Sequence, residues 1–273
     1  MQHKDRMTRE EFANLLYLPR RVYNRTAKRR FSCLDSDYIK KKYHEEKFPV
    51  EGNAALVKSI GSIIKTRKQE WEVKDKIALV DIGAAGGALT TLFMLAELDR
   101  LGLINKIRLT LVDISRQALE STLRGDFDLP PHLFSDFGYT FRLEQAKALL
   151  KNATIAVRSA IDLGDILTAD IVLSAFTHHH MNLIDKQLAT REMERITKPG
   201  GVIGIADERL SYEDYVEWVH AHIKERNGRG EVVPIAVESF IPLAEHKEFL
   251  RHVRIAQEAE SRYFYYFCGI KEE

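Results

Sequence analysis

The tract Asp81-Ile82-Gly83-Ala84-Ala85-Gly86-Gly87 constrains the fold more than any other part of the chain. It follows an apolar run, Ile77 to Val80, and precedes Ala88 to Leu101, where apolar residues recur at helical spacing. Small residues between a strand and a helix let a ligand lie against backbone N–H groups at the positive end of the helix. The tract therefore predicts a nucleotide- or nucleoside-binding strand–turn–helix unit.

The chain from Lys76 onward extends that unit. Strands are predicted at 77–82, 107–112, 154–160, 171–175 and 202–206, and helices at 88–101, 115–123, 143–150 and 184–196. A loop with Pro130 and Pro131 interrupts the series. Continuous apolar strands alternating with helices imply a parallel sheet covered on both faces. Later helices are predicted at 212–226 and 243–250, and the tail reads as a strand pair, 253–257 and 263–270.

Before Lys76 the pattern is helical. Thr8-Arg9-Glu10-Glu11 has the form of a capping box, and Phe12, Leu15, Leu16 and Tyr17 give a partly apolar face that ends at Pro19. Ala54, Val57, Ile60 and Ile64 recur at helical spacing after Pro49. Residues 1–75 are thus expected to form an N-terminal helical segment, and 76–273 the ligand-binding domain. The first 75 residues hold 18 Lys/Arg against 11 Asp/Glu, a balance of +7, whereas the remainder carries −6. A basic segment suits an anionic substrate or RNA, and equally a solvated helical face. Cys33 and Cys268 lack any metal-type spacing and are expected to be buried, inert thiols. No apolar run approaches the roughly 18 residues of a membrane span, and the N-terminus lacks a signal-peptide pattern, so a cytoplasmic location is expected.

Acidic and small residues punctuate the strand ends. Asp113 closes the second strand about 30 residues after Gly83, where a carboxylate can accept both ribose hydroxyls. Asp162 with Leu163 follows the third strand and suits an exocyclic amine, with Asp165 competing for that place. Ser174 ends the fourth strand, Lys198-Pro199-Gly200-Gly201 precedes the fifth, and Asp207 follows it. Ligands of open α/β sheets bind beyond the carboxyl ends of the strands, where these residues should gather.

With these pieces in this order, the chain resembles the class I S-adenosylmethionine-dependent methyltransferases. The pieces are Asp81–Gly87, Val112-Asp113, Asp162-Leu163, Asp170-Ile171-Val172-Leu173-Ser174 and Lys198–Gly201. The resemblance implies a doubly wound, mostly parallel seven-stranded sheet with a reversed C-terminal strand, here 263–270, plus an N-terminal helical lid. It implies S-adenosyl-L-methionine as cofactor. Asp81, Gly83, Ala84, Ala85, Gly87, Asp113, Ile114, Asp162, Leu163 and Ser174 are placed at that cofactor, with Leu163 supplying an N–H to the adenine. Ala85 departs from the family's more usual middle glycine, and alanine pairs of this kind occur among RNA ribose methyltransferases. A nicotinamide dehydrogenase would need Gly-x-Gly-x-x-Gly, and here the letters are Gly83, Ala85 and Ala88.

Thr177-His178-His179-His180 follows the fourth strand. Adjacent residues rarely converge on one metal ion, so no metal site is expected. The resemblance puts one or two histidines here between cofactor and substrate, with His179 or His180 as general base; the competing reading is imidazoles that satisfy buried backbone groups. Thr177, His178, Asp207 and Tyr23 are expected at the substrate, Glu208 shares the strand end with Asp207, and Trp218 is a further wall candidate. The leading expectation is methyl transfer to an O, N or C atom of a small molecule, with no membrane partner. An RNA methyltransferase and a non-catalytic module that retains the fold are the alternatives. Against RNA, Ile203-Gly204-Ile205-Ala206 offers no lysine after the fifth strand.

Overall fold

A computed structural model describes residues 47–84, 88–125, 132–140, 143–209 and 239–273. The expectations at Thr8–Tyr17, Tyr23, Cys33, Ala85–Gly87, Pro130, Pro131 and residues 212–226 with Trp218 lie outside the described residues. Among the described residues, two helices precede the sheet, α1 (Lys47–Thr66) and α2 (Lys68–Glu72). The core follows as β1 (Ile77–Ile82), α3 (Leu89–Arg100), β2 (Ile107–Asp113), α4 (Arg116–Arg124), α5 (Leu143–Lys151), β3 (Thr154–Val157), β4 (Ala169–Ala175), α6 (Leu183–Ile196) and β5 (Thr197–Glu208). Helix α7 (Leu243–Lys247) and strands β6 (Val253–Glu260) and β7 (Phe264–Lys271) close the chain.

The seven strands lie in the order β3-β2-β1-β4-β5-β7-β6. The pairs among β1 to β5 are parallel, and β7 runs antiparallel to both β5 and β6. The expected reversed last strand and terminal hairpin are both present.

Side chains alternate across the sheet and feed two cores. Ile77, Leu79, Leu111, Ile171, Leu173 and Val202 pack into the first, with Leu56 and Ile60 of α1, Trp71 of α2 and Leu92 and Phe93 of α3. Val80, Ile82, Val112, Val172, Ile203 and Ile205 pack into the second, with Ala189, Met193 and Ile196 of α6. Cys268 of β7 is buried, and burial pushes its thiol up to about 12. No helix among the described residues is long and apolar enough to cross a membrane.

Two boundaries differ from the sequence reading. Strand β3 stops at Val157, because Asp162 N–H donates to Ser159 C=O (3.0 Å) and closes a turn. The Lys198–Gly201 tract, read as a turn, is the opening of β5, with an irregular register against β4 between Ala169 and Ile171. Gly200 takes a positive φ of 74° there, and a Cβ on Gly201 would lie 2.8 Å from Lys198 C=O.

Candidate active site

The carboxyl ends of β1, β2, β4 and β5 form one edge. At β1, Asp81 is buried and accepts the Thr91 hydroxyl of α3 (2.6 Å). Burial raises its carboxyl to about 7, against the pull of that hydrogen bond. The chain then turns at Gly83, whose φ is 79°. Gly83 N–H (2.8 Å) and Ala84 N–H (3.1 Å) both donate to Val112 C=O, so these two groups tie the turn to β2 and are not offered to a ligand. What Gly83 supplies is close approach: a Cβ there would lie 2.0 Å from Thr177 Oγ1. Helix α3 begins after Ala88, itself at φ 50° and with no capping side chain of its own, and the buried Asp81 carboxyl takes a hydrogen bond from the Thr91 backbone in its first turn. Opening N–H groups that remain at a helix start are donors for a ligand or solvent.

At β2, Asp113 is 8% exposed, and its Oδ1 accepts Ser115 N–H (2.8 Å), which orients the carboxylate. Ile114 beside it is 49% exposed, an apolar side chain left at the edge without core packing. Asp162 is exposed, and its Oδ1 accepts Gly164 N–H (3.2 Å). Asp165 pairs with Arg158 (3.3 Å). Leu163 does not meet its expectation: its N–H donates to Glu192 Oε2 (2.9 Å), and its side chain is fully buried. Ser174 is also turned inward, its hydroxyl donating to Ile82 C=O (2.9 Å), so it joins β4 to β1.

Phe176, the residue after β4, holds a positive φ of 52°, and its N–H donates to Ala206 C=O (2.8 Å). Such a conformation in a bulky residue is strained and persists only where the surroundings enforce it. It sends the chain into a short turn, His178–His180, that gives His178 and His179 different partners. His178 is 1% exposed, with Nδ1 3.0 Å from His246 Nε2. His179 is fully buried, with Nδ1 2.8 Å from Asp207 Oδ1 and Nε2 3.6 Å from Glu208 Oε1. His180 is half-buried, its ring 3.8 Å from the His179 ring. Among the described residues, no group of His, Cys, Asp and Glu could hold a metal ion.

Asp207 is 1% exposed and meets His179, so its expected contact with substrate gives way to contact with the imidazole. Burial opposes its charge, but His179 and Lys186 hold the carboxyl at about 2. His178, also expected at the substrate, is instead part of the interior, where burial lowers it to about 4. Its partner His246 bonds Tyr265 OH through Nδ1 (2.6 Å) and is pushed well below its usual value by burial. Thr177 packs on Gly83, its hydroxyl donating to Ala175 C=O (3.1 Å). Lys186, His246, Tyr265 and Phe176 escaped the sequence reading. Lys186 and His246 sit in ordinary charged stretches of helix, and only the fold turns them inward.

Residues 80–205 match the model of the methyltransferase domain family. In fold the chain is similar to an O-methyltransferase family protein from Burkholderia thailandensis, with TM-score 0.50 and 10% identity, covering 81% of this chain and 60% of that one. A possible exported protein from Bordetella parapertussis matches at TM-score 0.51 and 12% identity, covering 76% of this chain and 65% of that one. Over residues 80–205 the chain is similar to methyltransferase domains. It spans less than two thirds of the length of either structure. Magnesium protoporphyrin IX methyltransferase from Synechocystis, solved with bound SAH, gives TM-score 0.48 and 10% identity over 87% of this chain and 100% of that one. No curated protein sequence matches the chain significantly.

The methyltransferase domain's edge fits S-adenosylmethionine, the cofactor of this class. Asp113 is an oriented carboxylate of the kind that can accept ribose hydroxyls, and exposed Ile114 offers an apolar surface of the kind a purine can rest on. Ala85 and Gly87 lie outside the described residues.

Proposed function

We propose that the protein transfers the methyl group of S-adenosylmethionine to a small-molecule acceptor, with His179 as general base oriented by Asp207. The observation that carries this reading is the buried 2.8 Å His179–Asp207 pair on a turn whose Thr177 packs directly on Gly83. The glycine turn and the histidine turn therefore share a wall, which supports the cofactor and the acceptor lying side by side.

When bound, the sulfonium supplies an electrophilic methyl group. The protein's part is to hold the acceptor in line with that methyl, where alignment supplies much of the rate. Asp207, ionised at any ordinary pH, accepts from Nδ1 and so fixes the tautomer that leaves Nε2 basic. A hydroxyl or ammonium acceptor gives up its proton to Nε2, and the resulting imidazolium is stabilised by Asp207 on one side and Glu208 on the other. Residues that could enclose the acceptor reach this edge from two directions. Gly52, early in α1, packs against Phe176, and Ser239 N–H donates to His179 C=O (2.7 Å).

The test is acceptor-dependent release of S-adenosylhomocysteine, with pooled small molecules and total RNA as alternative acceptors. His179→Gln should lower turnover on the small molecule by about 10²- to 10⁴-fold while S-adenosylhomocysteine binding stays at the wild-type level. Turnover with RNA alone would overturn the acceptor class, and unchanged turnover in the variant would overturn the base.

A further inference from the structure

Lys186 lies in the second turn of α6, fully buried, and the chemistry proposed above does not use it. Its ammonium donates to Met181 C=O (2.7 Å), Ser239 C=O (2.8 Å) and Ser239 Oγ (3.0 Å), and also to His178 C=O. Buried charge is tolerated only where such partners replace water. These partners share a location. His178 and Met181 bracket the histidine turn, and Ser239 donates its own N–H to His179 C=O (2.7 Å) and its hydroxyl to Met181 C=O (2.5 Å). The His178, His179 and Met181 carbonyls are thus each fastened to one ammonium or to the serine bonded to it.

We propose that Lys186 is a positioning residue, which fixes the His179 imidazole against Asp207 by gripping the backbone on both sides of that histidine. The proposal rests on the reading of His179 as the base. Electrostatics point the same way. The charged and titratable groups around the pair are Asp207 and Glu208 from β5, Asp185 from α6, His178 and His180 from the turn, and His246 from α7. Burial pulls Lys186 down to about 7 while Asp207 and Asp185 favour its charged form, and in that form it steadies the ionised Asp207. Removing it frees three carbonyls and unbalances Asp207 together. An apolar residue of the same length would fill the space but perform neither task.

The test reads the His179–Asp207 bond itself and needs no acceptor. A short, buried imidazole–carboxylate bond gives a far-downfield N–H proton resonance. The wild-type protein should show it, and Asp207→Asn should abolish it. Lys186→Met should lose it, and Ser239→Ala, a milder change that removes one hydroxyl from the clamp, should weaken it or move it upfield. A folded Lys186→Met protein with the wild-type resonance overturns the proposal, because a purely structural lysine would lower the melting temperature and leave this signal in place. Should Lys186→Met fail to fold, an unchanged resonance in Ser239→Ala overturns it instead. Absence of the resonance from the wild-type protein also overturns it. Titration of the wild-type protein with S-adenosylhomocysteine runs alongside: failure to bind sinks the methyltransferase reading alone, since the resonance still reports on Lys186 and His179.

Discussion

His178 and His179 are neighbours in one turn and have opposite surroundings. His179 meets a carboxylate, whereas His178 meets His246, and burial holds both of the latter pair neutral. Their effect on stability has a definite sign. The unfolded chain binds protons at these imidazoles near the usual 6.5, but folded His178 does so only near 4. Stability should therefore fall as pH drops from 6.5 toward 4 and level off below, by on the order of 3 kcal/mol for His178. Asp207 acts elsewhere: its stabilisation is present above 3.8 and lost as pH falls through about 2. Urea midpoints at pH 7.5 and 5 check this, and His178→Asn should flatten the difference. Equal midpoints in the wild-type protein would contradict the burial argument. The sequence marks the histidine tract as a candidate site, but the different surroundings of His178 and His179 are not legible there. In a three-residues-per-turn helix adjacent side chains point in divergent directions, and the partners Asp207 and His246 come from 28 and 68 residues away. Leu163 and Ser174 were misread for a related reason: motif position marks the edge, and backbone hydrogen bonding decides which groups remain for a ligand.

At the scale of elements, α1 approaches α3 closely at Gly61 and the sheet closely at Gly204 of β5. A Cβ on Gly61 would lie 1.9 Å from Oε1 of Glu97 and within 2.6 Å of two further atoms along that side chain. Glu97 is buried and bonded to Arg100 (3.0 Å), so the whole side chain would have to move. A Cβ on Gly204 would instead press on the terminal Cδ1 atoms of Ile60 (2.6 Å) and Leu56 (3.0 Å), which can shift. Gly61→Ala should destabilise by about 1–3 kcal/mol, and Gly204→Ala by less. Denaturant titration of both variants checks the order, and a reversed order would contradict the packing described. Strand positions were read to within two residues for β1, β2 and β4. The sequence reading of β1 matches its observed limits, because an apolar run bounded by Asp81 and Gly83 leaves little freedom. Edge strand β3 was read too long and β5 too short. In each, local hydrogen bonding or a bulge overrides the apolar pattern.

For the whole molecule, chain order brings distant segments to one edge. Asp81, Asp113, the histidine turn and Asp207 each follow or end a different strand, and parallel pairing aligns all four ends. The first residues of α1 reach the same edge, where Asn53 accepts the Thr90 hydroxyl of α3. Arg209 and Ser239 lie there too, bonded to Tyr263 and His179. An edge assembled in this way binds its ligand through several strands, so one altered carboxylate should weaken binding without unfolding the sheet. Occupancy should also stabilise the fold, by about 2.7 kcal/mol at a hundredfold excess of ligand over Kd, read as a rise in melting temperature. The most direct measurement is calorimetric titration of the purified protein with S-adenosylmethionine, beside Asp113→Ala. Saturable one-site binding that Asp113→Ala loses, with the variant still folded, is the result predicted here. No binding by folded wild-type protein, or equal binding by Asp113→Ala, would contradict the assignment of this edge to the cofactor.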